Sequence, residues 1–150
     1  MKIEFELDPY KLLDECQHQS LIDAQMNTTE SGQIATQQIA LSRKNYDIFH
    51  TELVSQISQL YSTFANLITY TIDTGSIKID VTTPDIPEPS YSQSVAIGIK
   101  DYLKNAMLAW WNLSRGNRAL MTAYAAKQDE VRSYIINLIT PKVERPYRYW

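Results

Sequence analysis

Seven apolar residues, Tyr46, Phe49, Leu53, Ile57, Leu60, Phe64 and Leu67, recur at steps of three or four and commit this part of the chain to a helix with one buried face. The positions between them carry Gln, Ser and Glu, so the opposite face belongs in water. Ala35 and Ile39 fall on the same stripe when it is extended backwards. A helix of about 35 residues within 30–68 would then be about 50 Å long, at about 1.5 Å per residue. That exceeds the width of a compact domain built from 150 residues. The helix must therefore break near Ser42, or one end must project and need a partner.

The rest of the chain has to cover that stripe. Ile3, Phe5 and Leu7 alternate with charged residues, the pattern of a short strand with one buried face. Asp8 and Pro9 follow, a good N-cap and a good first helical residue, and predict a helix over residues 9 to about 26. Its apolar face is thin (Leu12, Leu13, Cys16, Leu21, Ile22), which suits packing along an edge. Asn27 with Glu30 three positions on resembles a capping box at a polar break. Residues 69–72 are rich in β-branched side chains, residues 73–76 (DTGS) signal a turn, and Ile77, Ile79 and Val81 alternate again. This reads as a β-hairpin that the N-terminal strand can join, although residues 69–72 can also be read as the end of the long helix. The hairpin and the proline link after it are expected to lie outside the helical body, with strand edges free for a neighbour.

Pro84, Pro87 and Pro89 enforce an extended link. A helix is predicted from about residue 92 to 114, with Val95, Ile99, Tyr102, Ala106, Trp110 and Leu113 on one stripe and Leu103, Met107 and Trp111 widening it. Gly116 suits the left-handed position past a helix end and Asn117 the next N-cap, so the last helix, with Leu120, Tyr124, Val131, Ile135 and Leu138, folds back antiparallel until Pro141 stops it. The expected fold is mainly α: a bundle of about four helices with a small β-hairpin or β-sheet element and an extended C-terminal tail. Residues 1–140 form one helical domain with its hairpin near 69–82, and residues 141–150 form an arm. The core is expected to gather Phe49, Ile57, Leu60, Phe64, Ile99, Ala106, Trp110, Tyr124, Val131 and Ile135.

The residues that carry chemistry are sparse. With 14 basic and 17 acidic residues the net charge is -3, which gives no global attraction to nucleic acid or an anionic membrane. The single cysteine, Cys16, excludes an internal disulfide and fits a reducing cytoplasm. No run approaches the ~20 apolar residues of a membrane span, and the first residues lack a secretory signal. Cys16, His18 and His50 have no zinc spacing, and Cys16 and His18 point apart on a helix. Cys16 beside a histidine is formally a nucleophile and base, and Asp47 with Glu52 a carboxylate pair, but neither sits in a catalytic signature. Four isolated glycines cannot build a phosphate-cradling loop. These features predict a protein with no catalytic residues, no metal and no cofactor.

Aromatic residues point instead to protein contacts. Adjacent helical residues lie about 100° apart, so Trp110 and Trp111 either lie across one wide buried face, or one packs inside and the other meets the hairpin, the tail or another subunit. Residues 145–150 (RPYRYW) are basic, aromatic and broken by proline. Tyr147, Tyr149 and Trp150 have large apolar area with few rotatable bonds, and Arg145 and Arg148 can fork onto carboxylates. The candidate interaction residues are therefore Trp111, Arg145, Tyr147, Arg148, Tyr149 and Trp150. The tail can equally fold back on its own domain.

The second half of the chain resembles neck and head-to-tail connector proteins, the ring or adaptor structural proteins of tailed bacteriophages and prophages, including crAss-like phages of gut bacteria. The likeness lies in a strand and proline link at residues 77–84 (IKIDVTTP), a helix with an aromatic pair at 102–111 (YLKNAMLAWW), a polar loop, a helix with an early tyrosine at Tyr124, and the closing RPYRYW. The resemblance implies a virion structural protein, made in the bacterial host cytoplasm, that forms a homo-oligomeric ring, dodecameric in a neck. It also implies contacts with portal, neck or tail proteins, passage of DNA without specific binding, and no membrane. It transfers no catalytic residues. A cytoplasmic helical adaptor or regulatory binding protein is the alternative reading.

Overall fold

The computed structural model describes residues 1–26, 41–64, 66–73, 75–86 and 88–140. Four α-helices and a three-stranded antiparallel sheet make up those residues. In chain order they are β1 (Lys2–Leu7), α1 (Pro9–Met26), a single 3-10 turn (Arg43–Asn45), α2 (Tyr46–Thr63), β2 (Ile68–Asp73), β3 (Ser76–Thr82), α3 (Pro89–Ser114) and α4 (Arg118–Ile139). The predicted fold class, a helical bundle with a small sheet, is the one observed.

The helix boundaries follow local chemistry. The Asp8 carboxylate accepts from the Tyr10 amide at 3.0 Å and caps α1, with Pro9 in the first helical position. Before α2 the chain is extended at Ser42 (φ -137°, ψ 166°), and the Ser42 amide donates to Asn45 Oδ1 at 3.2 Å. A helix continuous through Ser42 is thereby ruled out, because the Ser42 backbone has left helical geometry. Ala35, Ile39 and the cap at Asn27 and Glu30 lie outside the described residues. α2 ends one turn earlier than its stripe suggested: Asn66 adopts a left-handed φ of 64°, tolerable for asparagine, and Leu67 leaves the helix. Helix α3 starts at Pro89 rather than near residue 92, since proline fits the first turn and its missing N–H costs nothing there. Gly116 (φ 76°) and Asn117, whose side chain accepts from the Leu120 amide at 3.1 Å, make the predicted turn between α3 and α4.

One cluster of buried side chains draws on every α-helix and every strand described. Helix α3 is its centre. Ala106, Met107, Leu108 and Ala109 are all buried, and four successive helical residues point round the whole circumference. On one side α3 meets α2, with the Phe64 and Tyr102 rings edge-on at 5.3 Å. On the other it meets α4 closely: a Cβ placed on Gly98 would sit 3.2 Å from Ile135 Cγ1. The Tyr91 hydroxyl donates to the Leu138 carbonyl at 2.6 Å and pins the start of α3 to the end of α4.

The sheet order is β1-β3-β2. Pairing runs from Ile3↔Val81 to Leu7↔Ile77 on one side of β3 and from Ile68↔Val81 to Ile72↔Ile77 on the other. Ile3, Leu7, Ile68, Ile77, Ile79 and Val81 are all buried in the common core. The hairpin is therefore part of the body and not an appendage outside it, because a strand with a wholly apolar inner face must be covered. Of the ten expected core residues, eight are buried; Trp110 and Val131 are half-buried against the cluster. Leu113, placed on the α3 stripe, is 57% exposed, because the buried face drifts toward Trp111.

Leu60→Ala and Phe64→Ala should each cost about 2–5 kcal/mol of stability, the range for truncating a fully buried large side chain. Denaturant titration checks this, and midpoints equal to wild type for both variants would mean the core is misplaced.

Candidate interaction surfaces

The described residues contain no group of three or more His, Cys, Asp or Glu side chains able to hold a metal ion. The thiol weighed as a nucleophile in the sequence is shut away. Cys16 is fully buried, and burial pushes its thiol up to about 12, so it stays protonated and unreactive at neutral pH. His18, two positions away, is exposed, and His50 packs against the Tyr46 ring at 5.6 Å. Glu52 accepts from Gln56 at 3.0 Å, while Asp47 lies exposed in the first turn of α2. Neither expected pairing assembles a site.

A buried polar pair beside Cys16 was not legible in the sequence. The Tyr124 hydroxyl donates to Asp23 Oδ2 across 101 residues of chain, and Gln19 Nε2 donates to Asp23 Oδ1 at 3.1 Å. Burial, then the Asp23 carboxylate, push the Tyr124 phenol up. Ser20, also buried, accepts from the Leu41 amide at 3.0 Å and donates to the Gln17 carbonyl at 2.9 Å. These bonds satisfy polar groups where α1 meets α4 and the chain before α2. The signal for Asp23 was its place about two turns beyond Cys16 and one beyond Ser20 on the thin apolar face of α1.

Three outward surfaces among the described residues expose apolar side chains. Between α3 and α4 runs a shallow groove, lined by Ile97 (59% exposed), Val131 and Tyr134 (51% exposed) around Gly98. Beside α2, Ile48 and Trp110 line a second shallow depression with Asp47, Thr51 and Glu52. The third is the outer strand β2, on which every residue after Ile68 is exposed.

Of the six expected interaction residues only Trp111 is described. It is 4% exposed, with the Arg115 guanidinium 4.3 Å above its ring, so within this chain it packs inward. Its neighbour Trp110 is the half-buried member of the pair, edge-on to Phe49 at 6.5 Å. The two rings lie 6.0 Å apart and both pack on the one core cluster, two aromatics across one wide face, with Trp110 the more exposed. Arg145, Tyr147, Arg148, Tyr149 and Trp150 lie outside the described residues.

Among the described residues no helix is long and apolar enough to cross a membrane. No protein-family model, no curated protein and no solved structure matches the chain.

The raised thiol has a consequence for stability. An unfolded cysteine ionises near its ordinary 9.0 while buried Cys16 waits until about 12. The unfolded state thus loses a proton that the native state keeps, and stability falls as pH rises from 9 toward 12. The slope is about 1.4 kcal/mol per pH unit. Tyr124, also raised, steepens the loss at the upper end. Urea titrations between pH 7 and 10.5 should show wild type weakening above pH 9 and Cys16→Ala weakening less. Equal slopes for the two proteins would mean that Cys16 is accessible to water.

Proposed function

We propose that this chain is a non-enzymatic assembly protein that acts by binding other proteins, and specifically a neck or head-to-tail connector subunit of a phage virion. The observation that carries the assembly reading is the distribution of apolar surface. Ile97 and Tyr134 on the α3–α4 groove, and Tyr70 and Ile72 on β2, are more than a third exposed and occur in pairs, although the chain has a full core to place them in. Paired apolar exposure of this kind marks contact surfaces. The connector reading adds the motifs described above and the arm at residues 145–150.

In this reading the helical body is a rigid block. The outward faces meet neighbouring subunits, portal or tail proteins, and Arg145, Tyr147, Arg148, Tyr149 and Trp150 latch onto the next component through apolar area and guanidinium–carboxylate forks. The mild net charge of -3 suits a ring that lets DNA pass without gripping it. The ring would be homo-oligomeric, dodecameric if it matches a portal, and located in the virion.

Particles purified from cells that make this protein should contain it in a fixed ratio to the portal. Deleting residues 145–150 should leave the helical circular dichroism and the denaturant midpoint unchanged while removing the protein from particles. Its absence from purified particles contradicts the connector reading; a midpoint loss on deletion contradicts the arm.

A further inference from the structure

The two edges of the sheet are unlike. Antiparallel strands alternate, residue by residue, between groups turned to the partner and groups turned away. The Leu67 carbonyl accepts from the Thr82 amide at 2.8 Å, which fixes the phase on β2: Thr69, Thr71 and Asp73 turn toward β3, while the N–H and C=O of Ile68, Tyr70 and Ile72 turn outward. On β1 the Met1 carbonyl accepts from the Thr83 amide at 2.8 Å, so Lys2, Glu4 and Glu6 turn outward there. The β1 edge thus has a charged residue at each outward position, the usual guard against another strand. Lys2 also bridges Glu4 and Asp80, each at 3.7 Å, so these charges are held in place.

The β2 edge has no such guard. From Ile68 to Ile72 it reads ITYTI, with no charge, no proline and no glycine. Among the described residues β2 pairs with β3 alone. Its Tyr70 and Ile72 side chains lie on the same face as buried Ile68, yet are 37% and 45% exposed.

ITYTI is also a palindrome. Antiparallel pairing with a second copy, centred on Tyr70, sets Tyr70 against Tyr70, Ile68 against Ile72, and Thr69 against Thr71. The phase of the backbone permits this register, since outward-turned residues then face outward-turned residues and exchange hydrogen bonds. Registers offset by an odd number are excluded. The permitted parity places the inner faces of both sheets on one side, so the exposed Tyr70 and Ile72 of the two copies pack together. Thr69 and Thr71 pair on the other side. The two Asp73 carboxylates end about 20 Å apart, at about 3.4 Å per residue, and do not repel across the join. Like residues opposite one another, without like charges, are what an isologous two-fold contact requires.

We propose that β2 is a self-pairing edge and that two copies of this chain join through it into one six-stranded antiparallel sheet centred on Tyr70. This holds whether or not the chain is a connector, and its test reads a different surface from the arm at residues 145–150.

Sedimentation velocity on the full chain over a hundredfold concentration range is the first measurement. Wild type should shift from monomer to dimer. Tyr70→Lys, which sets two ammonium groups opposite each other, should weaken the dimer at least tenfold with an unchanged circular dichroism spectrum. Glu4→Gln on the other edge should dimerise like wild type. A second pair of variants reads the register. Thr69→Cys mixed with Thr71→Cys should form an interchain disulfide under mild oxidation, whereas Thr69→Cys alone should not, and buried Cys16 stays silent. A wild-type monomer at every concentration overturns the proposal. So does a dimer or larger ring indifferent to Tyr70→Lys, or Thr69→Cys cross-linking to itself as readily as to Thr71→Cys.

Discussion

The rest of the fold depends on the need to bury helix α3 on all sides over the turn from Ala106 to Ala109. Ala106, Met107, Leu108 and Ala109 leave no face for water, so neighbours must surround the helix. α2 supplies Phe49, Leu53, Ile57 and Phe64 from one side, and α4 supplies Tyr124 and Ile135 from another. α1 and the sheet cover the remainder. Gly98 lets α4 approach to a distance at which a side chain would press on Ile135, and the bond from Tyr91 to the Leu138 carbonyl locks the far end. Burial of that many large apolar groups dominates the stability, and the polar bonds chiefly prevent penalties where α1 and α4 bring Asp23, Ser20 and Tyr124 inside.

The same packing explains why the sheet is asymmetric. β3 is central and has its inner residues buried, so its position is fixed by the core. β1 is tied by its own pairing and by Ile3 and Leu7, and its outward positions can be spent on charge. β2 is paired with β3 from Ile68 to Asp73, but of its side chains only that of Ile68 is buried, and Tyr70 and Ile72 on the same face stay partly exposed. An unguarded strand of this composition is a hazard unless a partner covers it.

Much of the fold was readable because strong periodicity and strong punctuation coincided. The stripe from Phe49 to Phe64, the Asp8–Pro9 start, the two-residue turn at Gly75 and the Gly116–Asn117 turn each had a local cause, and each is present. What was missed depended on three-dimensional neighbours. That the N-terminal strand could join the hairpin was readable, and β1 does pair with β3; that the sheet would lie against the helical core, and which of two adjacent tryptophans would turn inward, was not. Leu113 and Leu67 obeyed the helical period but lost their place to the drift of the buried face and to a left-handed Asn66. The Asp23–Tyr124 bond joins residues 101 apart, and no spacing rule reaches that far. The self-complementary ITYTI was in plain view, but it acquires meaning only once the phase of its backbone and the exposure of its edge are known.

The most direct test of a rigid body built round α3 with an open, self-complementary edge is amide hydrogen exchange at single-residue resolution, measured on the full chain at two concentrations. Amides in the middle of α3 should be the slowest at both. Thr69 and Thr71, bonded to β3, should be protected at both, while Tyr70 and Ile72 should exchange quickly in dilute solution and slow sharply in concentrated solution. Tyr70 and Ile72 amides with the same protection at both concentrations would contradict the account.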